Sequence, residues 1–225
     1  MNYKEIDYDL NPIITGCKEG GSQAWFGKYK ISNEDKIMEF IFNSGKKRVQ
    51  ERHYFPDFPL EILGLEMENS AKLTDFIYAP PLRFIISDRL RKVISDAKDL
   101  KLPKYEFFPV AFQKKKVYVD NYWWFCFEPL FGDEVNFQKS ELETGSYSDF
   151  GINNSEDYLK FDKRNVVKFP LPKVLHFKHK LDYDILDLGI FTGRILASEK
   201  FINLLNEAKA TGYKVYEPTV QFVGL

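Results

Sequence analysis

The stretch SDRLRKVISDAK at residues 87–98 nearly recurs as SEKFINLLNEAK at residues 198–209, which lie 111 positions further along the chain. Each copy begins with a serine, whose hydroxyl can accept hydrogen bonds from the free N–H groups of a helix N-terminus. An acidic residue follows, where the helix dipole favours it. Apolar residues then recur at the spacing of one helix face, at Leu90, Val93, Ile94 and Ala97 and again at Phe201, Leu204, Leu205 and Ala208. The repeat predicts two equivalent serine-capped helices, each with one buried stripe.

The residues on either side of the two helices repeat as well. The short apolar runs RFII (83–86) and RILA (194–197) precede the helices, and YEFFPV (105–110) and VYEPTV (215–220) follow them. These runs have strand composition, so each copy predicts a strand–helix–strand unit, at about residues 83–112 and 194–222. Because the rest of the chain also leans to strand, we expect a single α+β domain over residues 1–225 with mostly antiparallel sheet.

The composition limits the class of protein. The chain has 225 residues with 21 Phe and 13 Tyr, which is ample material for a core, and its net charge of −1 argues against a dedicated nucleic-acid binder. No apolar run approaches the roughly 18 residues of a membrane helix, and the acidic start lacks the apolar stretch of a secretory signal. Cys17 and Cys126 fit no metal-binding spacing. We therefore expect reduced thiols in a cytoplasmic protein that is not bound to a membrane.

Charge is distributed unevenly along the second half of the chain. Residues 133–162, called the acidic segment below, hold eight acids against two lysines, whereas residues 163–180 hold six basic residues and no acid. One interpretation is a solvated loop followed by a basic strand. The other is a partner-binding surface, because Gly145, Gly151 and the pair Asn153 and Asn154 indicate exposed loop. Its candidate contacts are the acids Glu141, Glu143, Asp149, Glu156 and Asp157, with Tyr147 and Phe150 as apolar anchors.

The aromatic run YWWF (122–125) offers a second candidate surface. On a strand, successive side chains point to opposite faces, so Trp123 and Trp124 should face apart. One of them would then face away from the main core, where a tryptophan often marks a protein interface. The alternative is a second, smaller core that covers this face.

A search for catalytic and metal-binding patterns predicts no catalytic residue, no metal site and no cofactor. His176 and His179 lie in an extended stretch, where they point to opposite faces. The run DYDILD (182–187) places three acids close together in sequence, and we interpret it as a charged margin rather than an ion site. The chain contains none of the short metal, nucleophile or phosphate-binding motifs. No spacing singles out one carboxylate pair as acid and base.

Several stretches together resemble immunity-protein family eleven of the bacterial polymorphic toxin systems. They are RFIISDRLRKVISDAKDLKLPKYEFFPV, the Tyr/Trp-rich strand, VNFQKS (135–140) and DLGIFTGRILASEKFINLLNEAKATGYKVYEPT. In that family a strand leads into a Ser-capped helix and a further strand, and the unit returns near the C-terminus. Its middle motif resembles Val-Asp-Leu-Glu-Lys-Ser, whose Asp is replaced here by Asn136. The resemblance covers about residues 75–220 and leaves the first 70 residues without a counterpart.

The resemblance implies a function that the residues alone do not. Members of this family protect the producing cell from a secreted antibacterial toxin, such as one delivered by type VI secretion, by binding the cognate toxin domain. The family has no defined catalytic residues and no shared binding residues, so none is transferred to this chain. Two other hypotheses stay open, namely an enzyme of unrecognised type, such as a hydrolase that acts on a small substrate or reverses toxin damage, and an adaptor module. The protein could be a monomer or a homodimer.

Overall fold

A computed structural model describes residues 2–18, 20–26, 40, 54–161, 170–189 and 191–225. The run KIMEFIFN (36–43) has strand composition and, apart from Phe40, lies outside this part of the chain, as do the third histidine, His53, and the basic residues at 163–169. The described strands are β1 (Tyr3–Tyr8), β2 (Ala24–Trp25), β3 (Ile62–Met67), β4 (Phe76–Ala79), β5 (Leu82–Ser87), β6 (Tyr105–Lys114), β7 (Val117–Phe127), β8 (Glu141–Leu142), β9 (Gly145–Ser146), β10 (Pro172–His176), β11 (Ile185–Asp187), β12 (Ile195–Ser198), β13 (Tyr213–Tyr216) and β14 (Gln221–Val223). The helices are α1 (Pro12–Thr15), α2 (Asp88–Asp96), α3 (Ser155–Lys160) and α4 (Glu199–Glu207), with a 3-10 turn at Tyr147–Phe150. The predicted α+β class with mostly antiparallel pairing is confirmed.

The two predicted strand–helix–strand units are present as β5–α2–β6 and β12–α4–β13. Ser87 Oγ accepts a hydrogen bond from the N–H of Leu90, and Ser198 Oγ accepts one from Phe201, both at 3.2 Å. The buried stripe is narrower than predicted. Leu90, Ile94, Phe201 and Leu205 are fully buried, whereas Val93, Ala97, Leu204 and Ala208 are half-buried. Val93 and Leu204 contact the same core from its margin.

The duplication extends beyond the predicted units to a central antiparallel strand in each sheet. The larger sheet has the order β2-β3-β6-β7-β5-β4, and the smaller has β11-β12-β1-β13. In each sheet one strand lies between the two that flank the helix, and it runs antiparallel to both. In the first repeat this strand is β7, which follows β6 directly. In the second repeat it is β1, so the N-terminal strand completes a unit at the other end of the chain.

The register shows which residues of the two central strands correspond. Tyr122 lies opposite Ser87, and Tyr3 lies opposite Ser198. The Tyr122 hydroxyl donates to the carbonyl oxygen of Thr74 at 2.8 Å, and the Tyr3 hydroxyl donates to that of Tyr183 at 2.6 Å. An asparagine precedes both tyrosines, so an Asn-Tyr pair occupies the corresponding place in each repeat. The two tyrosines therefore hold the same place in the two repeats.

One hydrophobic core is shared by both repeats. It contains apolar residues from both helices and from both central strands, including Leu90, Phe125, Ile6 and Phe201. The opposite face of the larger sheet contributes to a second core, and that of the smaller sheet to a third. Each repeat is thus a sheet with apolar residues on both faces.

The two tryptophans of β7 face apart as predicted, and both faces are covered. Trp123 contacts the shared core, and its Nε1 donates to Asp88 Oδ1 at 3.0 Å while Arg91 lies over its ring. Trp124 is 7% exposed and contacts Phe108 in the second core. One tryptophan thus faces away from the shared core as predicted, and a second core covers that face, which agrees with the alternative interpretation.

Candidate functional site

The acidic segment is folded, whereas its Gly and Asn residues predicted exposed loop over much of its length. It contains β8, β9, the 3-10 turn and α3. Asp149 Oδ2 accepts the N–H of Ser146 at 2.8 Å, and Asn154 Oδ1 accepts the N–H of Asp157 at 2.9 Å. Polar residues that indicate loops by composition serve here as caps of short helices. The loop interpretation is wrong for this reason.

Tyr147 is not an exposed anchor, because its side chain is fully buried. Its ring lies 5.2 Å from that of Phe137 and 6.1 Å from that of Tyr158, measured between centroids, within the third core. Phe150 is half-buried, with its ring edge-on to Phe161 at 6.1 Å. Of the two predicted anchors, only Phe150 keeps part of its surface accessible. The alternative tryptophan contacts differ likewise, since Trp124 is buried and Trp123 is half-buried.

The predicted acidic contacts mostly face solvent. Glu141, Glu143, Asp149 and Glu156 are exposed, and Asp157 is half-buried and accepts the N–H of Asn153 at 3.0 Å. Glu156 forms an ion pair with Lys160 at 2.5 Å, one helical turn away. Hydrogen bonds from Ser146 hold the pKa of the Asp149 carboxyl below its ordinary value. Four of the five acids therefore lie on the outside of a folded segment.

Part of this charge is balanced by the basic stretch that follows in sequence. Strand β10 pairs antiparallel with β8, and Lys173 Nζ lies 3.9 Å from Glu141 Oε2. Lys178 Nζ donates to the carbonyl oxygen of Asp133 at 2.8 Å. The acidic segment and the described end of the basic stretch thus lie against each other. The negative charge that the acidic segment presents to solvent is therefore smaller than the number of acids in its sequence indicates.

The three acids of DYDILD do not converge. The Asp182 carboxylate pairs with Lys101, and the buried Asp184 accepts the Ser198 hydroxyl at 2.5 Å. Asp187 Oδ1 instead accepts the N–H of Gly189 at 2.7 Å. Throughout the described ranges, no three His, Cys, Asp or Glu side chains are arranged to hold a metal ion. In the same ranges, no helix is long and apolar enough to cross a membrane.

A cavity of about 400 Å³ lies where the turns before β5 and β12 meet strand β1. We call it the arginine cavity, because Arg83 and Arg194 both line it, 111 positions apart at the start of RFII and RILA. No sequence pattern had predicted this cavity. The repeated arginine was a signal, but only the juxtaposition of two distant turns brings the pair together.

Each arginine of the cavity contacts one buried acid. Arg83 Nη1 lies 3.5 Å from Asp187 Oδ1, and Arg194 Nε lies 3.6 Å from Glu5 Oε2. Burial raises the pKa of Asp187, and the nearby Arg83 and the N–H of Gly189 oppose this effect without cancelling it. Glu5 is only 3% exposed and lies opposite Leu196 in the smaller sheet. The equivalent position in the first repeat is Trp124, which lies opposite Ile85. A charged side chain thus occupies a position that the duplicate fills with an aromatic ring.

Comparison with protein-family models gives no match, and comparison with curated proteins gives none either.

Proposed function

We propose that this protein is a cytoplasmic immunity protein that binds a cognate secreted antibacterial toxin and neutralises it by occlusion. One support is the resemblance of residues 75–220 to immunity-protein family eleven. The observation that carries the proposal is an outward-facing set of acids on a segment that Phe137, Tyr147 and Tyr158 anchor in the third core. These acids are Glu141, Glu143, Asp149 and Glu156.

A folded acidic surface suits this role better than a loop would. Tyr147 and Tyr158 fix the segment from within, since both are buried in the third core. A preorganised surface loses less conformational entropy when it binds. Toxins that attack nucleic acids or nucleotides have basic active-site clefts, which carboxylates can fill. Complementary charge also speeds association, which matters when a toxin must be captured before it acts.

A protection assay tests the proposal in cells. The chain is co-expressed with the C-terminal domain of a large secreted protein encoded beside its gene. The wild type should preserve growth, and the double variant Glu143→Lys/Glu156→Lys should lose most of this protection. The matched control is Glu106→Lys/Asp120→Lys, which makes the same charge change at two exposed residues elsewhere. Equal protection by both variants would show that the acidic segment is not part of the interface. Absence of protection by the wild type would contradict the proposal itself.

A hydrolase is the second candidate, and the arginine cavity is the observation that favours it. Converging charged groups in a cavity, beside an acid of raised pKa, are typical of catalytic sites. However, none of the described residues that line it is Ser, Cys, His or Lys. Stoichiometry separates the two functions. A binding inhibitor suppresses toxin damage fully only at one equivalent of the toxin. A hydrolase that reverses this damage does so well below one equivalent and should lose this ability in Glu5→Gln.

A further inference from the structure

We propose that the arginine cavity binds a small molecule through an oxyanion, a carboxylate or phosphate group held between Arg83 and Arg194. The two residues hold equivalent places in the two repeats, and both side chains line the same cavity. The duplication therefore supplies one cation from each repeat. This ligand site is independent of the toxin surface proposed above.

The turn before β12 brings the guanidinium group of Arg83 close to the backbone beside Arg194. A Cβ atom added to Gly193 would lie 3.4 Å from Arg83 Nη2. The fork of Arg83 therefore reaches the residue directly before Arg194. Gly193 has φ +67°, a left-handed conformation that glycine adopts without strain. The glycine thus shapes the turn and leaves room for the guanidinium of the other repeat.

Most hydrogen-bond donors of the two arginines are not used within the described chain. An arginine has five N–H donors in a planar fork. The described contacts of each are a single acid, at 3.5 Å for Arg83 and 3.6 Å for Arg194. Their side chains are 43% and 45% exposed respectively. The remaining donors can therefore be offered to a ligand, and such forks match carboxylate and phosphate oxygens in pairs.

The acids beside the arginines are committed to the protein backbone. Glu5 Oε1 accepts the N–H of Thr219 at 2.8 Å and its hydroxyl at 2.9 Å. Asp187 Oδ1 accepts the N–H of Gly189 at 2.7 Å. Each acid is fixed on its own side and orients one guanidinium without saturating it. The other acid of the lining, Asp7, accepts the N–H of Tyr8 at 2.8 Å.

The rest of the cavity fits a compact organic group. Its volume of about 400 Å³ lies within the range of small-molecule sites, roughly 300–1,000 Å³. Tyr8 and Tyr78 line it with rings 4.9 Å apart, and Pro80 and Pro81 add apolar surface. A ligand with a planar ring and an oxyanion could place the oxyanion at the arginines and the ring against the tyrosines and prolines.

Titration of the full chain with two probes tests the proposal. Inorganic phosphate presents the oxyanion alone, and benzoate adds a planar ring. Each probe is added to the protein at constant ionic strength, which is adjusted with sodium chloride. NMR follows the backbone amide shifts of the protein, and calorimetry measures the heat of binding. We expect saturable shifts of the backbone amides of Gly193 and Arg194. Tighter binding of benzoate would assign an aromatic carboxylate, and tighter binding of phosphate a phosphate-bearing ligand.

The variant Arg83→Gln/Arg194→Gln should weaken binding of the better probe at least tenfold. Its control is Lys116→Gln/Lys139→Gln, which removes the same charge from two exposed sites and should bind as the wild type does. Equal weakening in both variants, or no saturation in the wild type by either probe, would overturn the proposal. If the arginine variant fails to fold, the amide shifts of the wild type test the proposal instead. Shifts confined to the two turns of the cavity would support the proposal, and shifts spread over the basic surface would contradict it.

Discussion

Asp75 and Asp184 precede corresponding strands of the two repeats, and each carboxylate accepts a hydrogen bond from the loop after the other repeat's helix. Asp75 Oδ2 accepts the N–H of Thr211 at 3.0 Å, and Asp184 Oδ2 accepts the N–H of Lys101 at 2.8 Å. Each acid also accepts the hydroxyl of the serine that caps its own helix, at 2.7 Å and 2.5 Å respectively. The same two acids therefore position both helix N-termini and join the repeats to each other.

Asp184→Ala is expected to destabilise the protein strongly. Asp184 is 1% exposed, and its loss leaves the Ser198 hydroxyl and the Lys101 N–H without their acceptor. An unsatisfied buried group costs about 1–3 kcal/mol. Urea unfolding measures the change, with Asp182→Ala as the control because Asp182 is exposed in the same loop. Similar losses in the two variants would contradict the cross-repeat role of Asp184.

Acid should remove the contribution of Asp75. Burial alone would raise the pKa of its carboxyl, but hydrogen bonds from Arg89, Ser87 and Thr211 outweigh burial and hold the pKa below the ordinary value of 3.8. A lowered pKa means that the contribution is present above pH 3.8 and is lost as the pH falls through the folded-state pKa. The wild type should therefore exceed Asp75→Asn in unfolding free energy at neutral pH. Chemical denaturation at stepped pH should show this difference shrinking below pH 3.8, and a constant difference would be the contrary result.

Tyr147→Phe should leave stability unchanged or raise it. Its hydroxyl is buried and has no hydrogen-bond partner among the residues that the structure describes, so removing it eliminates a desolvation cost at unchanged ring packing. Tyr122→Phe is the matched comparison, since that buried hydroxyl donates to Thr74 and its loss should cost about 1 kcal/mol. Thermal unfolding ranks the two. A larger loss for Tyr147→Phe than for Tyr122→Phe would show that the Tyr147 hydroxyl has a partner.

Ile6→Ala tests whether the N-terminal strand belongs to the second repeat. Ile6 pairs with Ile195 on one side and Val215 on the other, and its side chain is 3% exposed in the shared core. Truncating such a residue costs about 2–5 kcal/mol. Ile13→Ala, at a position 75% exposed, should change the unfolding free energy by less than about 0.5 kcal/mol. A cost at Ile6 as small as at Ile13 would make β1 a peripheral strand.

Local signals made the two helices predictable, because a capping serine and an apolar stripe lie within one short stretch. The place of β1 was not predictable in the same way, since the pairing of Tyr3 with Ser198 joins opposite ends of the chain. The Asn-Tyr pair that recurs in the two repeats was a sequence signal for the place of β1. Tyr147 was misassigned for another reason, namely that the polar residues around it indicate caps and loops equally well. The arginine cavity required both turns to be placed in space.

Association kinetics test most directly the proposal that the acidic segment captures the toxin. Stopped-flow binding of the toxin domain is measured over a salt series for the wild type, Glu143→Lys/Glu156→Lys and the control Glu106→Lys/Asp120→Lys. We predict that charge reversal in the acidic segment slows association at least tenfold at low salt and flattens the salt dependence, while the control stays close to the wild type. Unchanged association of the Glu143→Lys/Glu156→Lys variant at low salt would contradict the claim.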